Sequence, residues 1–411
     1  MPNNEARTRF PLAPYYRYMF IPGLLLLMIP GMLKTYLLMP FPGSQDLESI
    51  RLVYYLLPWV MPLHILGFLL VILPILNTII NGRVWKKIGM LLLCLVCGAI
   101  IWFTEVKFSA GNIFREPATV AFVKASTSGL PLETVVMGVE HGGVAKAYPI
   151  DYLAYHHKVQ DTIGGLPVLV TYCTMCRTGA TFQPVVDNQP LSFRLIGANH
   201  YNAIFQDRGT GTLWYQATGE AAVGPLKGKR MPLVPSQQVT LGVWLREHPE
   251  SLVFVADTAS RQGYDMTEGF ADIRPGKEYY ATADSNWRMR SWVVGVEIGR
   301  EARAYPWPAL VRHRVINDSV GGVPVVIALE NDSISYHVWK RDLNGRTLQF
   351  APDPTGKNLL EMTDGSLWNW DGYCVEGASV GTRLEPVTAS QEFWHAWSRF
   401  HPGTLRWEET R

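Results

Sequence analysis

Apolar residues are spread unevenly along this chain. Up to about residue 104 they run in long blocks, and beyond it they alternate with polar residues in short segments. Three blocks, at about 18–40, 54–80 and 88–104, are long enough to cross a bilayer, which takes about 20 helical residues. The first, "YMFIPGLLLLMIPGMLKTYLLMP", holds a single charge, Lys34, expected to snorkel toward a surface. The second carries only His64, a functional candidate by its depth, whose blander reading is a neutral imidazole bonded to a neighbouring helix. The third holds Cys94 and Cys97 about one helical turn apart, a spacing that suits packing inside a helix bundle.

Lys and Arg in the short loops set the orientation. Arg7, Arg9 and Arg17 precede the first span, and Arg83, Lys86 and Lys87 lie between the second and third. Residues 1–17 and the second loop are therefore expected in the cytoplasm, and everything after 104 outside it, in the periplasm or an equivalent extracytoplasmic space. No small-residue cleavage site follows the first block, so it is read as a retained anchor.

The outer part repeats itself. "MGVEHGGVAKAYPIDYLAYHHKVQDTIGGLPVLVTYC", from Met137, falls without a gap on "VGVEIGREARAYPWPALVRHRVINDSVGGVPVVIALE", from Val294. Tyr148, Pro149, His156, Asp161 and Gly164 find identical partners there. The match resumes at a slightly shorter offset, with Trp214 on Trp368, Gly219 on Gly372, Trp244 on Trp397 and His248 on His401. Each copy reads as strand, Gly turn, strand, short helix, glycine turn and buried strand, then a hairpin, which in the first copy turns at Asp187-Asn188. The expected fold is a three-helix transmembrane bundle followed by a mostly β, β-rich α+β domain. That domain is two tandem repeats about a pseudo-two-fold axis, since like surfaces bury one another economically. The expected boundaries are a linker at 105–134, the first repeat at 135–255, a linker at 256–291 and the second repeat at 292–411.

Composition narrows the function. With a net charge of +2 nothing points to nucleic acid. Five cysteines in 411 residues are too few for a disulfide scaffold. The chemistry lies in "VTYCTMCRTG", where Cys173 and Cys176 stand two residues apart. Such a pair is a disulfide, a metal clip or a redox centre. The repeat acts as an internal control: Cys173 aligns with Glu330 and Cys176 with Ser333, so the fold does not require the thiols. As ligands, Cys173 and Cys176 with His156 or His200 suit Cu or Zn, where two thiolates need further donors. As a redox pair, the more exposed cysteine attacks and the other resolves. A thioredoxin-type helix N-terminus is not expected here, because the pair follows a strand.

The stretch from Gly138 to Phe182, followed by "NHYNAIFQDRGTGTLWYQATGEAAVGPLKG", resembles domain-of-unknown-function family 3179 of bacteria and archaea. That family is marked by a V-T-Y-C-P-L-C-like strand end, a W-H-x-x-V-N-D-like stretch before it and a Y-D-R-x-T-x-S-x-W-x-Q segment after it. The motif positions fall here on His156, Asp161, Cys173, Cys176, Tyr201, Asn202, Asp207, Arg208, Trp214, Gln216 and Gly219. The chain departs from the pattern at Tyr155 and at Thr174-Met175. The resemblance implies a site around the cysteines, with Tyr201, Asn202, Asp207, Arg208 and Trp214 as cofactor-binding candidates, and it names no reaction.

The leading expectation is an integral membrane protein with an extracytoplasmic thiol site for soft-metal binding or dithiol/disulfide exchange. It leaves room for a protein partner in the membrane or periplasm. The alternative is a non-enzymatic binding or assembly module, with Tyr201, Trp214 and Trp368 lining a groove and the cysteines as a clip.

Overall fold

The computed structural model describes residues 13–270 and 287–409. Arg7, Arg9 and the middle of the segment expected to link the repeats lie outside the described residues. The chain clusters into two compact units. One takes the residues up to 113 together with 194–214 and 221–228, and the other takes 114–193, 215–220 and 229 onward.

In the first unit the apolar blocks are helices: α1 (Tyr16–Leu38), α2 (Ile50–Asn81) and α3 (Val84–Trp102), the last running on through a π turn to Lys107. All three are long and apolar enough to cross a membrane. Gly23 and Gly67 let α1 and α2 approach closely, since a Cβ on Gly23 would lie 2.6 Å from Val71 and one on Gly67 2.8 Å from the Gly23 carbonyl. Lys34, expected to reach toward a surface, has a partner on the third helix segment. Its ammonium pairs with Glu105, and Thr35 Oγ1 donates to the Thr104 carbonyl at 3.1 Å, so these polar groups satisfy each other between helices.

The same unit holds a four-stranded sheet made largely of Phe193–Asn199, Asn202–Asp207, Leu213–Tyr215 and Ala221–Val223. The tip of its first hairpin seats on the loop between α1 and α2. Gly197 (φ 149°) comes so close that a Cβ would sit 2.5 Å from the Leu38 carbonyl.

In the second unit, strand, strand, helix, strand, strand occur in the same order twice. First come Val135–His141, Val144–Pro149, Ile150–His156, Lys158–Ile163 and Leu166–Tyr172. Later come Trp292–Ile298, Glu301–Pro306, Trp307–His313, Val315–Val320 and Val323–Leu329. The registers agree residue for residue with the sequence match: Gly138 faces Ala147 as Gly295 faces Ala304, and Asp161 faces Val168 as Asp318 faces Val325. Phe122–Lys124, in the stretch read as a linker, is the edge strand of the first sheet, paired with Leu252–Phe254.

Two glycines show why the sequence folds this way. A Cβ on Gly138 would lie 2.3 Å from the Trp244 ring, and one on Gly295 2.2 Å from the Trp397 ring. Each helix at the end of a half, Leu241–Glu247 and Trp394–Phe400, thus lays a tryptophan flat on bare backbone. One hydrophobic core draws on both halves, with Tyr148, Leu153, Val170 and Tyr172 joining Tyr305, Trp307, Leu310 and Ile327. Each large side chain removed from water contributes roughly 1.5–3 kcal/mol.

Candidate functional site

Leu166–Tyr172 and Gly179–Phe182 pair antiparallel with Tyr172 opposite Gly179, so 173–178 is their six-residue connection. Cys173 N donates to the Thr178 carbonyl at 3.0 Å and Arg177 N to the Cys173 carbonyl at 2.8 Å, which requires a left-handed Arg177 (φ 62°). Gln216 braces the turn, its Nε2 donating to Thr171 Oγ1 at 2.9 Å and to the Thr178 carbonyl at 3.0 Å. The connection Glu330–Ser335 closes in the same way, Glu330 N donating to the Ser335 carbonyl at 2.8 Å.

Both cysteines are free, fully buried and held in the same turn. Burial, then the hydrogen bond and charge of Cys173, push the Cys176 thiol well above its ordinary range, while Thr178 pulls it back. Neither cysteine is the more exposed, which corrects the expectation of an accessible attacking thiol. Arg177, in the same turn, reaches toward Phe270. Its guanidinium lies 4.0 Å over the Phe270 ring and donates to the Phe270 carbonyl.

The pair is not joined by the histidines named with it. His156 donates from Nδ1 to the Arg115 carbonyl at 2.5 Å and accepts at Nε2 from Tyr264 at 2.7 Å, so both its ring nitrogens are engaged. His200 belongs to the other unit, where Nδ1 meets the Gln45 carbonyl at 3.0 Å and Nε2 lies 3.4 Å from Glu48. Among the described residues no three His, Cys, Asp or Glu side chains are gathered as a metal group. Four donors for tetrahedral zinc are therefore not assembled, whereas two thiolates alone suit a soft ion such as Cu(I). The imidazole that does approach the turn is His157, at φ 61° where the helix Ile150–His156 ends. Its Nε2 lies 3.4 Å from Thr174 Oγ1, and burial pushes its pKa down to about 4.

The cofactor-binding candidates lie in the first unit. Asp207 accepts from Trp214 Nε1 at 3.0 Å and from Thr210 N at 2.6 Å, closing the turn 207–212. Tyr201 N donates to Gln45 Oε1 at 3.1 Å, Asn202 is buried in its strand, and Arg208 is exposed. Trp214 and Trp368 are fully buried, so they do not line a groove as the binding-module alternative required.

Sequence reasoning missed Glu392. It is fully buried beside the cysteine turn, accepting from Thr178 Oγ1 at 2.8 Å and from Ser390 Oγ at 2.6 Å, and burial raises its pKa to about 7. The next residue ties the same turn through its backbone, Phe393 N donating to the Cys176 carbonyl at 2.9 Å. Glu392 lines a cavity of about 670 Å³, with Thr178, Ala180, Phe182, Trp397 and His401 among its walls. A cavity of about 260 Å³ occupies the corresponding place by the sequence match, lined by His337, Trp339, Trp244 and His248. The signal for Glu392 was present in the repeat as a difference in chemistry, because its aligned partner is Val239.

Fold and site together define a β-rich domain with one buried dithiol, carried on a chain that begins with three membrane-length helices. The family model described as "Protein of unknown function (DUF3179)" matches residues 115–404, and the chain belongs to that family. No curated protein and no solved structure matches it.

Proposed function

We propose that the chain is an integral membrane protein whose outer domain carries a dithiol/disulfide centre at Cys173 and Cys176. The observation that carries this reading is a pair of free, fully buried cysteines in one closed turn, at positions where the second half has Glu330 and Ser333. There Glu330 serves a different chemistry, pairing with Arg246 at 2.8 Å and His337 at 2.7 Å. Oxidation of the pair by a small disulfide forms the Cys173–Cys176 bond and releases the oxidant as two thiols. Complete burial of both sulfurs restricts the reaction to moments when the turn 173–178 opens.

The two halves, 135–255 and 292–411, are read as copies related by a pseudo-two-fold axis. Gln238 and Gln391 support this: strand register makes them equivalent, and they hydrogen-bond to one another, as residues on such an axis do. The N-terminus is read as cytoplasmic and the β-rich domain as extracytoplasmic. The hairpin tip at Asn199 and His200 rests on the loop after α1, and Arg83, Lys86 and Lys87 lie between α2 and α3, where the positive-inside rule puts the cytoplasm.

The test uses the full chain in detergent, because 194–214 and 221–228 cluster with the helices. Thiols and bound metal are counted on one sample, and the reduction potential of the pair is measured. A Cys173–Cys176 disulfide that forms reversibly above about −300 mV, the upper bound typical of structural disulfides, supports the reading. Near-stoichiometric copper that is lost in Cys173→Ser would replace it with a soft-metal site. Thiols that neither oxidise nor bind metal would end both.

A further inference from the structure

The two halves differ most at one place. By strand register Ala180 corresponds to His337, Phe182 to Trp339 and Glu392 to Val239. Smaller walls open the cavity beside Ala180 and Phe182 to about 670 Å³, while His337 and Trp339 narrow its counterpart to about 260 Å³. The larger volume lies within the range of small-molecule sites, about 300–1,000 Å³. The one wall position that gains a buried charge is Glu392, so neither the space nor the carboxylate is something the fold requires.

The charges of this cavity are arranged in two tiers. Arg230 pairs with Glu220 at 3.5 Å and His401 with Glu297 at 3.4 Å, and all four are at least partly exposed, as is Arg300. Glu392 alone among the described charged lining residues is fully buried, and among the described residues its partners are two hydroxyls and no cation. A carboxylate in that position is stabilised by an incoming positive charge. The remaining wall is apolar and aromatic, from Phe182, Met231, Trp397 and Phe400, which favours a ligand with an organic body and adds attraction between a cation and the ring faces.

We propose that this cavity binds a small organic cation, an amine on an apolar or aromatic body, with the Glu392 carboxylate as its counter-ion. This goes beyond the thiol centre and does not depend on it.

The test is calorimetric titration of the full chain in detergent with benzylamine, using benzyl alcohol and benzoate as controls of similar shape. Benzylamine should bind, and the two controls should bind at least tenfold more weakly. Glu392→Gln should weaken benzylamine at least tenfold. Phe182→Trp, which gives the wall the residue its counterpart already accommodates, should abolish binding with the carboxylate intact, and it decides the matter should Glu392→Gln fail to fold. Benzoate binding as tightly as benzylamine would overturn the proposal, as would a folded Glu392→Gln that binds like the parent. So would the absence of binding by benzylamine, cyclohexylamine and methylamine alike. The Cys173→Ser/Cys176→Ser variant should bind benzylamine unchanged, so that failure of the thiol reading and failure of this one are separate results.

Discussion

Gln238 donates from Nε2 to Oε1 of Gln391 at 2.8 Å, and the two residues occupy equivalent places in strands that each pair with a first strand, Val135–His141 or Trp292–Ile298. Both side chains are buried. Gln238→Leu should therefore strand a buried acceptor and cost about 1–3 kcal/mol, whereas the double change to Leu should cost far less than twice that. A double-mutant cycle by chemical denaturation measures the coupling.

Gly138→Ala and Gly295→Ala should destabilise by similar amounts, about 1–3 kcal/mol each, because each methyl would enter a tryptophan ring at 2.3 Å or 2.2 Å. Tryptophan fluorescence during denaturation reports both. A large loss at one site and none at the other would contradict the equivalence of the two helix-on-strand contacts.

Glu392 makes stability depend on pH in a direction that can be isolated. Its folded pKa is raised to about 7, so between the ordinary carboxyl range and about pH 7 the folded chain holds a proton that the unfolded chain has released. Rising pH is therefore destabilising across that window. The stability difference between the parent and Glu392→Gln should shift against the parent by about 3 kcal/mol from pH 4.5 to 7. His157, held near pKa 4, opposes this in the parent, since the unfolded chain binds a proton there that the folded one refuses as pH falls from 6.5. Taking the difference between variants removes that contribution.

Cys173 and Cys176 should resist iodoacetamide in the folded chain at pH 8, because both are fully buried and Cys176 is held well above the ordinary thiol range. Mass spectrometry during denaturation should show them becoming labelled together. Labelling of one thiol in the native state would contradict the closed turn.

Asn199 and Ser49 lie 3.3 Å apart between Nδ2 and Oγ. An Asn199→Cys/Ser49→Cys pair should cross-link under mild oxidation, and an impermeant thiol reagent should reach neither residue from the cytoplasmic side. Electrophoretic mobility after cleavage between the two positions reads the link.

Much of the fold was legible because it depends on local signals. The apolar blocks became α1, α2 and α3, and Asp187-Asn188 took the left-handed pair of angles (φ 49° and 60°) that a two-residue hairpin turn needs. The cysteine pair was legible as a connection between strands. What could not be read was which imidazole comes near it. His156 stood out because His313 repeats it, yet the chain reverses one residue later and brings His157 to the turn instead. Glu392 escaped because it lies far along the chain from Cys176 and carries no motif. Both would have emerged from asking where the halves disagree in chemistry: His157 against Arg314, Cys173 against Glu330, Glu392 against Val239.

The unequal cavities, about 670 and 260 Å³, bear on the value of carrying both halves on one polypeptide. In a dimer of identical subunits every substitution appears twice, so a carboxylate buried on one side is buried on the other as well. Covalent fusion removes that constraint. One side can then hold a buried carboxylate beside a wide cavity while the other keeps a valine and a narrower one.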